Sequence, residues 1–180
     1  MKNNFFHTII LPINPIELQK TNYDCGPASL QFVLNILQKD TEKHLIAEIA
    51  RTSKEGGTNP KGLEAVLRAF NIRYEIAHPG SIELLEKKIR ELNLCIVNYQ
   101  AWARGGSEMK YLNAGHYSIV FGYNKTHFFV ADPSKYPTPK SPTRGFRTIR
   151  KDLFIKRWRD KEENGTQTDR FMLSIPLFQN

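Results

Sequence analysis

Cysteine is scarce in this chain: Cys25 and Cys95, 70 positions apart, are the only two among 180 residues. One such pair is neither a disulfide scaffold nor a metal-binding spacing, and a reducing cytoplasm is the compartment that fits it. No metal or cofactor is expected. Long apolar runs are missing as well. None approaches the roughly 18 residues of a membrane span, so no transmembrane segment is expected. Phe5-Phe6 and Thr8-Ile9-Ile10-Leu11 are apolar, but Pro12 and Pro15 follow at once and no small-residue cleavage site does. That argues against a signal peptide. Without internal repeats or linker-like stretches, 1–180 is expected to be a single domain that buries roughly two-thirds of its unfolded surface.

Acidic residues are in deficit, and the deficit is local. The net charge is +8, and residues 135–161 hold ten basic side chains against Asp152 and Asp160, which is the whole excess. The functional reading is a patch for an acidic partner. The plain reading is a solvated loop and helix face. No aromatic ladder or nucleic-acid motif accompanies the patch, which argues against nucleic acid.

The hydrophobic pattern predicts helices first and sheet second. A short strand over 8–13 precedes a helix at about 25–38 that contains no charged residue. Leu30, Val33, Leu34 and Leu37 form one face of it, and Gln31, Asn35 and Gln38 a polar stripe. So apolar a helix belongs in the centre of a fold. Pro27 lies in its first turn, where a missing N–H costs no intrahelical bond. A second helix is expected at 43–51. Asn59-Pro60 is a good start for a third, with Leu63, Val66, Leu67 and Phe70 at helical spacing. Residues 72–76 alternate like a strand, and Pro79-Gly80-Ser81 opens a helix with Ile82, Leu85, Ile89 and Leu92 on one side.

Beyond residue 93, strands are expected at 94–97, 116–123, 127–132 and 170–177. A loop fills 99–114, another fills 133–146, and a last helix spans about 150–160. The absence of βαβ alternation argues for an α+β fold.

Asp24-Cys25-Gly26-Pro27-Ala28-Ser29 places a thiol at the start of the apolar helix. Thiolate is the nucleophilic form, and the partial positive charge of a helix N-terminus favours it. Cys95, inside an aliphatic strand, reads as a small buried hydrophobe. Of five histidines, His116 is the best candidate base, because of its relation to Asp132. If the hairpin turned through Asn124-Lys125-Thr126, Tyr123 would face His127. His116 would then lie opposite Ser134, with Asp132 diagonal to it on the same face. A regular two-residue turn would separate the two onto opposite faces, so an odd-length turn or a compensating bulge is required. Asp132 would then orient the imidazole. Gln19, with the Cys25 N–H, could donate to an oxyanion.

Together Gln19, the Asp24–Ala28 run, Gly115-His116-Tyr117 continuing to Gly122-Tyr123, and Asp132-Pro133 resemble the papain-like, bacteriocin-processing double-glycine leader peptidases, in particular stand-alone bacterial members. Gly57-Thr58, Tyr99-Gln100-Ala101-Trp102 and Phe154 with Arg157-Trp158 extend the likeness over about residues 10–176. The resemblance implies a papain-like fold, its nucleophile helix packed on a C-terminal antiparallel sheet. It implies Cys25 as nucleophile, His116 as base, Asp132 as orienter and Gln19 in the oxyanion hole. Trp102, on the loop 99–114, is a candidate cleft wall, and Asp24 and Gly115 are candidate substrate contacts.

The expected activity is that of a cysteine peptidase on a peptide or small protein, through a thioester. Two alternatives stay open: acyl transfer to an amine at the same Cys-His-Asp site, and a non-catalytic peptide-binding module that uses the 135–161 patch. Nothing in the sequence sets an oligomeric state.

Overall fold

The computed structural model describes residues 8–102, 115–134, 145–161 and 165–179. In chain order its elements are β1 (Ile9–Ile10), α1 (Cys25–Ile36), α2 (Lys43–Ile49), α3 (Pro60–Ala69), β2 (Glu75–Ala77), α4 (Ile82–Arg90) and β3 (Asn93–Gln100). There follow β4 (Gly115–Tyr123), β5 (His127–Ala131), β6 (Phe146–Arg150), α5 (Lys151–Arg157), β7 (Arg159–Lys161), β8 (Gln167–Asp169) and β9 (Met172–Pro176). The fold is α+β, with the helices largely in the first half of the chain. No described helix is long and apolar enough to cross a membrane.

An antiparallel sheet runs in the order β2-β9-β3-β4-β5-β6, and β1 adds to β4. Every residue of its central strand β3 is buried, as the aliphatic run Leu94–Val97 requires. Helix α1 lies against β4. Leu30, Val33 and Leu34 are fully buried there, while of the polar stripe Asn35 is exposed and Gln31 half-buried. Ser29 Oγ donates to the Tyr117 carbonyl at 3.4 Å, fixing α1 one residue from His116. Gly26 is needed at the same junction: a Cβ there would sit 2.7 Å from Thr58.

The caps explain the next helices. Asn59 Oδ1 accepts from the Gly62 N–H at 2.8 Å and Pro60 follows it into α3, while Ser81 Oγ accepts from Leu84 N–H at 3.1 Å to start α4.

Several expectations need correction. Of 8–13 only Ile9 and Ile10 pair as strand, because Pro12 and Pro15 end it. Helix α1 stops at Ile36, and Gln38 turns left-handed at φ 58°. The strand expected at 72–76 forms later, at Glu75–Ala77, and α4 ends before Leu92, which is exposed with φ 59°. Strand β3 runs on to Gln100, and residues 103–114 of the expected loop are outside the described residues. The final helix is only Lys151–Arg157, flanked by the unforeseen strands β6 and β7. Its Phe154 is fully buried, packing on Tyr99, Phe128 and Trp158 at ring distances of 5.7, 5.2 and 4.8 Å.

The hairpin is the correction with most consequence. Asn124 N–H donates to His127 C=O at 2.9 Å and Tyr123 faces Phe128, so the turn holds two residues, Lys125 and Thr126. Asn124 enforces this, since its Oδ1 accepts from the Thr126 and His127 N–H groups at 2.9 and 2.8 Å. The required compensation is a bulge at Phe121: Val120 pairs with Val130, and Gly122 with Phe129. Below it Ile119 faces Ala131, so His116 and Asp132 return to a shared face.

Candidate active site

Cys25 begins α1 and is buried at 8% exposure. His116, second residue of β4, and Asp132, just past β5, are each 1% exposed. Nε2 of His116 lies 2.7 Å from Oδ1 of Asp132. The same oxygen accepts from the Ser134 N–H at 2.8 Å, fixing the carboxylate. The Cys25 thiol is close enough to the imidazole to favour its protonated form. Because Nε2 is taken by the carboxylate, the other ring nitrogen, Nδ1, is the one left for sulfur. The imidazole therefore has the carboxylate on one nitrogen and the other nitrogen available to the thiol.

The electrostatics follow from that line. Burial works against charge on His116, but the Asp132 carboxylate and its hydrogen bond, with a smaller contribution from Cys25, outweigh it, raising its pKa from 6.5 to about 9. Asp132 is shifted the other way. Burial penalises its charge, yet His116 and Arg147 hold its carboxyl below the usual range.

Arg147 is a partner that reading the sequence missed. Its Nε meets Asp132 Oδ2 at 2.6 Å from β6. Phe146-Arg147-Thr148-Ile149 does not alternate apolar with polar residues, so the sequence held no strand signal for it. The basic stretch is thus partly spent on internal pairs: Arg147 with Asp132, Arg150 with Asp152 at 2.6 Å, and Lys151 with Glu86 at 2.6 Å. Lys135, Lys140 and Arg144 lie outside the described residues.

Gln19 is 4% exposed, and its backbone N–H donates to the Pro133 carbonyl at 2.7 Å, which ties its loop to the one carrying Asp132. Its Nε2 donates to Thr21 C=O at 2.6 Å, leaving one of its two N–H groups for other use. Asp24 spends its carboxylate on the same loop, accepting from Lys20 N–H at 3.0 Å, Thr21 N–H at 2.8 Å and Thr21 Oγ at 2.7 Å. At the head of α1, Cys25 and Gly26 N–H have no intrahelical acceptor, and Pro27 has no N–H.

Trp102 is 40% exposed, and its ring centroid is 4.7 Å from that of His116. A cleft of about 360 Å³ opens beside Cys25, lined by Gly57, Thr58, Asn98, Gly115 and Asp160 among others. Gly115 therefore does line it, whereas Trp102, Gln19 and Asp24 are not among its lining residues. The other histidines lie elsewhere: His44 and His78 are exposed, His127 is at the far end of the hairpin beside Arg150, and His7 is outside the described residues. Cys95 is fully buried in β3, and burial pushes its thiol far up.

A thiol, an imidazole charged at neutral pH and a buried carboxylate in this order can support thiolate attack on a carbonyl. Known structures share the fold. The peptidase domain of Streptococcus ComA, a bifunctional ABC transporter of a quorum-sensing pathway, superposes with a TM-score of 0.65 at 18% identity, over 90% of this chain and 98% of that domain. A C39-like peptidase from Bacillus anthracis gives 0.67 at 14% identity, over 97% of this chain and all of the other. A double-glycine-motif protease from an AMS/PCAT transporter, solved with its leader peptide, gives 0.56 at 16%, over 94% and 99%. At these identities they share a fold. No curated protein matches in sequence. The model of the Peptidase C39 family matches residues 13–161, which span the cysteine, the histidine and the aspartate. The chain belongs to the Peptidase C39 family and is a papain-like cysteine peptidase.

Proposed function

We propose that this peptidase cleaves a peptide or small-protein substrate through a thioester formed on Cys25, working as one domain. The observation that carries the reading is His116, buried between the Asp132 carboxylate and the Cys25 thiol. Sulfur attacks the carbonyl carbon, and His116 gives its proton to the leaving nitrogen as the C–N bond breaks. Water then attacks the thioester with neutral His116 as base. The C–S bond breaks, and the carboxylic acid leaves. Asp132 keeps the imidazole in one tautomer throughout.

The free Gln19 N–H and the Cys25 N–H would hold the oxyanion. Asp24 holds the loop that carries Gln19, so its part is positioning. Trp102, its ring 4.7 Å from that of His116, would shield the imidazole from water. The leader peptide bound by the AMS/PCAT protease supports a peptide substrate here.

The test is incubation of the purified chain with leader-type peptides, with and without Gly-Gly, read by mass. Fragments whose masses sum to peptide plus water, absent with Cys25→Ala, are expected. Products carrying an added amine instead would assign acyl transfer. Binding without turnover, undiminished by Cys25→Ala, would overturn the reading.

A further inference from the structure

Asp160 has no part in the chemistry above, yet it lines the same cleft as Cys25. It stands on β7 with its carboxylate gripped from β3: Asn98 Nδ2 donates to Oδ2 at 2.7 Å and Gln100 Nε2 to Oδ1 at 2.8 Å. The carboxylate is seated on the backbone of Gly115, where any Cβ would collide with it. Only glycine at 115 lets an anion come this close to the residue before His116.

We propose that Asp160 forms a cation-accepting subsite in the cleft, taking the Lys or Arg side chain of a peptide substrate. This rests on the peptidase reading above.

The carboxylate is held rigidly, and no ion pair to it is formed among the described residues. Amides orient it, while burial raises its proton affinity, and no cation figures among the described groups acting on it. A partly desolvated anion of this kind gains most from a cation delivered by a ligand. Beside it Asn98 Oδ1 is buried without a hydrogen bond among the described residues, a second acceptor for a multi-donor head group. Lys54, Glu55 and Lys161 also line the cleft, and Arg51 lines the pocket adjoining it, but all four are exposed, so water and salt screen them far more than they screen Asp160. A metal ion would need several more oxygen ligands, and no group able to hold one exists among the described residues.

The test uses peptidyl chloromethyl ketones, which alkylate an active-site thiol: the C–S bond forms, the C–Cl bond breaks and chloride leaves. Matched pairs carry Lys or norleucine at one position, stepped along the peptide, and the second-order rate of Cys25 labelling is measured. At one position Lys should be favoured by about tenfold or more, the size of a close, partly desolvated charge pair. Asp160→Asn should bring that ratio to about one while the iodoacetamide rate at Cys25 stays unchanged.

In the unaltered protein the ratio should also fall as pH is lowered through the carboxylate range, a readout that needs no variant. No preference for Lys at any position, or one that survives Asp160→Asn, overturns the subsite. If labelling lacks that preference but Cys25 still depends on His116 for iodoacetamide reactivity, the subsite alone fails. If Cys25 reacts slowly and independently of His116, the peptidase reading fails and the subsite falls with it.

Discussion

Arg147 reaches from β6 to place Nε 2.6 Å from Oδ2 of Asp132, the carboxylate whose other oxygen holds His116 at 2.7 Å. The carboxylate therefore answers to two cations, and one of them lies in the stretch whose positive charge invites a docking role. Removing Arg147 leaves a buried anion with one partner. Arg147→Gln should lower stability by about 2–3 kcal/mol, the low end for breaking a buried pair because the guanidinium is 15% exposed. Urea unfolding at pH 7 checks this. A loss under about 0.5 kcal/mol, the size of an ordinary surface change, would make the pair incidental.

The pH dependence of stability has a definite sign. The pKa of His116 is raised to about 9 in the fold from 6.5 for a free imidazole, so its contribution is complete below 6.5 and is lost as pH rises through 9. Asp132, with its pKa lowered from 3.8, contributes stability that disappears only on acidification below that value. Melting temperatures from pH 6 to pH 10 should fall more steeply for the unaltered chain than for His116→Asn. Parallel curves would contradict the raised imidazole pKa.

Trp102 offers an optical reading of the same proton. Its ring lies 4.7 Å from His116, and a protonated imidazole in contact quenches indole emission far more than a neutral one. The difference spectrum between the unaltered chain and Trp102→Phe isolates this residue from Trp158. That emission should rise as pH passes through about 9, with no step in His116→Asn.

Cys95 should matter for packing alone. It is fully buried in β3, between Val120 of β4 and Ser174 of β9. Cys95→Ala should cost about 1–2 kcal/mol, as loss of a small buried group does, and leave kcat/KM within about twofold. A large fall in activity at unchanged stability would give this thiol a chemical part it has not been assigned.

Much of the site was legible because its residues sit where local rules are strong. The uncharged helix from Cys25, Pro27 in its first turn and the Asn59 cap follow from propensity and capping. The parity argument for His116 and Asp132 succeeded in a different form: it required an odd turn or a bulge, and Phe121 supplies the bulge while Asn124 closes a two-residue turn.

What stayed hidden depends on contacts far apart in sequence. Arg147 meets Asp132 only because β6 pairs with β5, and Asp160 meets Asn98 and Gln100 only because β7 comes back to β3. Strands of three to five residues, as β6 and β7 are, carry too little periodic pattern to be read before the fold is known.

The most direct test of the Cys25–His116 pair is site-resolved alkylation by iodoacetamide, followed by mass spectrometry across pH. It is run on the unaltered chain and on His116→Ala, with Cys95 as the internal control. The account predicts fast labelling of Cys25 at pH values well below about 8.5, where a free thiol is mostly protonated, a marked slowing without His116, and no labelling of Cys95 in the native protein. Equal, slow labelling of Cys25 in both proteins would contradict it.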